Sequence, residues 1–173
     1  MLEAVIEGTT DSVFVKDING RFIIANAKAA QTLGRRAEEL VGRTWDAMPE
    51  RFKRKVENVA LLVEDEPSQE LRELERLGPG ETLLGLYHGI NQLERGEMYG
   101  IGGTLPDTIT LFRLPLIEEA HMLLAERPQL GTFDAALEEA VRETLWHEVG
   151  HYFGLSEHDL HEREDGGTNS FSR

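Results

Sequence analysis

His147, Glu148 and His151 are the residues whose types and spacing speak most directly of chemistry. On a helix, two histidines four residues apart present their imidazoles on one face, within reach of a single ion. Glu148 then lies to the side of that pair. Two neutral imidazoles and a carboxylate beside an activated water are the components of zinc hydrolysis, and H-E-x-x-H is the order in which a helix supplies them. The chain has no cysteine, so a thiolate site and a disulfide framework are excluded, and a bound metal must use His, Asp or Glu. A catalytic zinc needs a third protein donor and leaves its fourth position open. Gly154 lets the chain turn back toward the metal, and Glu157, His158, Asp159 and His161 follow closely, so four donors compete for that role. Four of the six histidines fall between 147 and 161, which argues against a chance match on a solvated helix. A purely structural zinc is a lesser rival, because closed sites complete four protein ligands and favour cysteine.

These residues must be carried by a helix running from Phe133 to Phe153, capped by Thr132 and broken by Gly154. Its residues Phe133, Leu137, Val141, Leu145 and Val149 recur every four positions and form one stripe that must face the core. The metal would sit near the helix C-terminus, where the macrodipole favours positive charge, while Asp134, Glu138 and Glu139 complement the dipole at the start. Trp146 and Tyr152 read as packing residues, and the isolated His88 and His121 are given no catalytic role. A preceding helix is expected over Leu116 to Glu126, stopped before Pro128.

Strands are expected at Asn58 to Glu64, Thr82 to Tyr87 and Thr108 to Phe112, with a helix over 69–77 capped by Ser68 and closed by Pro79-Gly80. The stretch holding Gly100, Gly102 and Gly103 reads as a rim of the site. Thr108 to Phe112 is taken as the edge strand along which an extended substrate would lie. Nearer the N-terminus, two β-runs within residues 12–26 flank Asn19-Gly20, a strong hairpin signal. Short helices follow, Ala27 to Leu33 ended by Gly34 and Ala37 to Val41 ended by Gly42.

At 173 residues, 40% hydrophobic and 29% charged, the chain is long and apolar enough for one ordinary core, and two full domains would be cramped. Its net charge of −14 repels phosphate backbones, so nucleic-acid binding is not expected. No apolar run approaches the ~20 residues that cross a bilayer, and Met1-Leu2-Glu3 lacks the start of a secretion signal. A cytoplasmic location without membrane contact is the expectation. Residues 1–48 hold 7 acidic and 6 basic side chains against 25 and 12 in the remainder, which suggests two segments of different origin.

Residues from about 40 to 163 resemble a family of short bacterial zincin-like metallopeptidases. The resemblance runs through Asn58-Val-Ala-Leu-Leu-Val-Glu-Asp-Glu-Pro67, Glu81-Thr-Leu-Leu-Gly-Leu-Tyr-His-Gly89, Leu105-Pro-Asp-Thr-Ile-Thr-Leu-Phe-Arg113 and His147-Glu-Val-Gly-His-Tyr-Phe-Gly154. It implies an α+β, minimal zincin-like fold, a small mixed β-sheet packed on the active-site helix, with one zinc ion per chain on His147 and His151. Family members tend to be acidic where Glu157 stands, and ten residues beyond the first histidine is where metzincin-like enzymes place their third ligand. Glu157 is therefore the first choice and His158 the second. The chain departs from true metzincins in lacking a histidine at 157 and any methionine after Met122, so their Met-turn is absent.

Residues 8–44 separately resemble the first half of a PAS domain, through Asp11-Ser-Val-Phe-Val-Lys-Asp-Ile-Asn-Gly-Arg-Phe-Ile-Ile-Ala-Asn26 and Glu38-Glu-Leu-Val-Gly-Arg-Thr44. The later PAS strands are missing, so a closed haem or flavin pocket is not expected. The segment is expected to pack on the peptidase or to pair with another copy of the chain through a strand edge, giving a homo-oligomer. The organisation read from the sequence is a partial PAS-like segment over 1–48, with its β-hairpin and helices, a zincin-like domain over 49–165 and a flexible tail over 166–173. The expected activity is peptide-bond hydrolysis of a peptide or protein substrate by metal-activated water, with Glu148 as general base. The alternative is a non-catalytic or latent zinc-binding regulatory protein in which the partial PAS segment recruits a partner.

Overall fold

The histidine-bearing helix forms where its apolar stripe and caps place it. A computed structural model of the chain describes residues 14–16, 22–25, 38–95 and 105–165. In it Thr132 accepts the Ala135 N–H on its hydroxyl at 3.2 Å, and a helix runs over Phe133–Tyr152. Of the expected stripe, Leu137, Val141, Leu145 and Val149 are buried, and half-buried Phe133 stacks on His121, their ring centres 4.6 Å apart. Gly154 then ends the helix at φ +86, a left-handed conformation that a side chain would resist.

The other elements exist to cover that stripe. Within the described residues, residues 38–47 are helical (α1), followed by α2 (Glu50–Lys53) and α3 (Gln69–Leu74). Next come α4 (Arg113–Glu126), α5 (Phe133–Tyr152, the histidine-bearing helix) and α6 (Glu157–Asp165). The strands are β1 (Phe14–Lys16), β2 (Phe22–Ala25), β3 (Val59–Glu64), β4 (Gly85–His88) and β5 (Asp107–Phe112). β1 and β2 form the expected antiparallel hairpin, with Phe14 opposite Ala25. The others make a three-stranded mixed sheet in the order β3-β5-β4. β5 runs parallel to β3, Val59 opposite Asp107, and antiparallel to β4, Gly85 opposite Leu111. α4 packs along α5, and the sheet rests on the same helix through β4 and β5. This is the α+β, minimal zincin-like arrangement that the sequence implied.

The core gathers Ile109 and Leu111 of β5, Leu116, Ile117, Ala120 and Leu123 of α4, and the α5 stripe. Leu40 and Val41 of α1 and the following Met48, from the stretch read as PAS-like, are buried in that same cluster. Removing each of the Val, Leu, Ile and Met side chains from water stabilises the fold by roughly 1.5–3 kcal/mol. Among the described residues, no helix is long and apolar enough to cross a membrane.

Several boundaries differ from the sequence reading, each for a physical reason. Gly42 does not end α1: it has no positive φ, and the helix continues to residue 47 because Leu40, Val41 and Thr44 bury one face. Asn58 sits at φ 57, so its strand starts one residue later. α4 begins at Arg113, ahead of the expected Leu116, since Pro115 falls in its first turn, where a missing N–H breaks no helical bond. Thr108 to Phe112 is not an edge strand: β5 is central, flanked by β3 and β4, and the edge nearest α5 is β4. The expected Asn19-Gly20 turn, the Ala27 to Leu33 helix, the Gly100 to Gly103 rim and the 166–173 tail lie outside the described residues.

Candidate metal centre

His147 and His151 stand one turn apart on α5, with ring centres 4.8 Å apart. The chain reverses at Gly154 and re-enters a helix at once, because Ser156 and Asp159 form a reciprocal cap. The Ser156 hydroxyl donates to Asp159 Oδ2 at 2.6 Å, Ser156 N–H donates to the same oxygen at 3.0 Å, and Asp159 N–H returns to the hydroxyl at 3.3 Å. The Ser156 hydroxyl and N–H hold the Asp159 carboxyl below its usual range. Leu160, fully buried, then docks α6 on α5 opposite Gly150, where a Cβ would overlap the leucine.

That docking delivers Glu157 to the two rings. Its Oε1 lies 3.1 Å from His151 Nε2 and its Oε2 lies 3.4 Å from His147 Nε2. One donor atom from each of His147, His151 and Glu157 falls within 4.8 Å of the others. None of the other three candidate donors joins that group. Asp159 is the cap. His158 points outward, 3.6 Å from Glu162 and 81% exposed, and His161 turns Nδ1 to the Glu157 carbonyl at 2.8 Å.

Donor chemistry fits a divalent ion. His151 Nδ1 lies 3.1 Å from the Leu155 carbonyl, an acceptor that favours the tautomer with its proton on Nδ1 and the Nε2 lone pair available to a metal. With Nδ1 so engaged, Nε2 is the nitrogen that faces Glu157 Oε1, at 3.1 Å. Two imidazoles and one carboxylate form the three-donor set of catalytic zinc, with a position left for water.

Glu148 lies on the adjoining face of α5 and is 6% exposed. Burial pushes its carboxyl above the usual carboxylate range. Positive charge on His147, the Tyr87 N–H and positive charge on His151 oppose that rise, and Glu157 adds to it. The Tyr87 N–H donates to Oε2 at 2.7 Å. β4 provides this donor by its pairing. Phe112 N–H donates to the Leu84 carbonyl, so by antiparallel alternation Leu86 and His88 also bond β5, while Gly85 and Tyr87 turn their backbone groups away from it. The sequence reading missed this partner, since no side chain marks it.

Together these groups line an open cleft of about 1120 Å³, with β4 along one wall and α5 with Glu157 along the other. Gly85 is the tight point: a Cβ there would lie 2.8 Å from Thr144 Cγ2 and 3.0 Å from Glu148 Cγ and Oε1. Gly85→Ala is therefore expected to destabilise the fold by roughly 1–3 kcal/mol, as overpacking does. A denaturant midpoint equal to wild type would refute that contact.

A helix carrying two converging histidines and a buried glutamate, roofed by an antiparallel strand, is the arrangement of zincin-type metallopeptidases. The family model described as zincin-like metallopeptidase matches residues 56–167, well over half of the chain, and the chain belongs to that family. A PAS fold model matches residues 1–77. The two overlap across β3 and α3, and β3 is paired along its whole length with β5 of the peptidase sheet. No curated protein matches the chain.

Proposed function

We propose that this protein is a zinc-dependent peptidase in which His147, His151 and Glu157 hold the metal and Glu148 is the general base. The observation that carries the reading is the convergence of those three donors, within 4.8 Å of one another, beside a buried carboxylate in an open cleft. Bound zinc would supply the Lewis acidity that makes water a nucleophile at neutral pH. Glu148 accepts the proton of the attacking water and returns it to the leaving amine. Its Oε2 is held by Tyr87 N–H, which leaves Oε1 to handle that proton. An extended peptide fits along β4, where Gly85 and the Tyr87 carbonyl face away from β5 and offer pairing groups. This replaces Thr108 to Phe112, whose central position leaves no edge.

Metal analysis joined to a hydrolysis assay tests the proposal. Purified, metal-replete chain is expected to hold one zinc and to cleave fluorescently labelled casein. Chelation should abolish cleavage and added zinc should restore it. Protein that retains no zinc, or whose cleavage survives full chelation, would overturn the reading.

A further inference from the structure

Asp107 opens β5 as a buried carboxylate to which the hydrolytic chemistry assigns no task. Its Oδ2 accepts the Tyr87 hydroxyl at 2.7 Å and pairs with Arg95 Nη2 at 2.5 Å. Arg95 also donates from Nη1 to the Tyr152 hydroxyl at 2.9 Å and from Nε to the Ile90 carbonyl at 2.8 Å, and its guanidinium lies over the Tyr152 ring. The Tyr152 hydroxyl in turn donates to the Lys55 carbonyl at 2.9 Å and accepts the Glu57 N–H at 3.0 Å. Gly89 admits no larger residue, because a Cβ would overlap the Asp107 carboxyl. One cluster thus ties β4, β5, the end of α5 and the segment around Arg95.

Two members stand one step from the metal centre. Tyr87 supplies the N–H that holds Glu148, and Tyr152 directly follows His151. Building on the peptidase reading, we propose that Asp107, Arg95 and the hydroxyls of Tyr87 and Tyr152 form a positioning network. It sets the gap between β4 and α5 and thereby orients Glu148. Apolar packing alone would tolerate small slides between strand and helix. A buried charged pair bonded to two hydroxyls has few satisfied arrangements, since any displacement strands a polar group without a partner.

Tyr87→Phe tests this by removing one hydroxyl while keeping the backbone N–H and the ring that meets Tyr152 edge-on. In zinc-loaded protein, amide exchange followed by NMR is expected to quicken about 10-fold at position 87, while Ile109 and Leu111 of β5 keep their protection. Zinc affinity should stay within about twofold, and kcat on labelled casein should fall about 10-fold with KM nearly unchanged. Asp107→Asn should give the same local signature, provided its circular dichroism matches wild type. Unchanged exchange at position 87 in Tyr87→Phe would overturn the network, as would equal acceleration at Ile109 and Leu111, the mark of a merely structural role. If wild type cleaves no casein, the peptidase reading fails, and the exchange pattern still decides the network.

Discussion

Replacing Glu148 by Gln is expected to lower turnover by about 10³-fold while zinc remains bound, since general-base catalysis contributes roughly 10²–10⁴. The substitution is nearly isosteric, and the amide oxygen can still accept the Tyr87 N–H that now reaches Oε2 at 2.7 Å. What disappears is the capacity to take a proton. A loss of 10³ corresponds to about 4 kcal/mol of transition-state stabilisation. Stability should not suffer. Burial already disfavours the ionised carboxyl, so a neutral side chain in its place should leave the melting temperature of the metal-free chain equal or higher. Steady-state kinetics, zinc content and a thermal melt on one preparation settle the matter, and retained activity with zinc bound would remove Glu148 from the mechanism.

Glu157→Ala is expected to weaken zinc binding by more than about 100-fold, beyond the 10–100-fold that loss of an outer partner brings. His158→Ala should leave affinity within about twofold, because that ring faces Glu162 and solvent, away from the centre. Competition with a chromophoric chelator measures both. Equal losses in the two variants would mean that the third donor is not fixed as the structure has it. The contrast matters because neighbouring metal-donor residues were rivals in the sequence, and only the docking of α6 through Leu160 separates them.

The histidine pair was legible because a four-residue spacing has one meaning on a helix, and the α5 stripe and Thr132 cap required a helix there. Glu157 was legible in part: Gly154 announced the reversal, but the cap that commits Asp159 and frees Glu157 is a matter of local geometry. Strand order was not legible. Residues 58–64, 82–87 and 108–112 all read as strands, and nothing short-range says that β3 and β4 both choose β5 as partner. Gly42 misled for a related reason, since burial of Leu40, Val41 and Thr44 outweighed its poor helix propensity. The network around Asp107 stayed hidden because Tyr87 and Arg95 lie 20 and 12 residues away, and only the fold makes them neighbours.

The donors of the metal centre all lie between residues 147 and 157, whereas the bond that holds Glu148 spans 61 residues. Short-range structure forms faster than long-range strand pairing during folding. In refolding of the full chain, the α5–α6 turn that brings the three candidate donors together is therefore expected to form ahead of the strand pairing that carries Tyr87 to Glu148. On the peptidase reading, an intermediate at that stage would have its metal donors gathered but its general base still unheld, and so would be inactive while its own backbone is exposed.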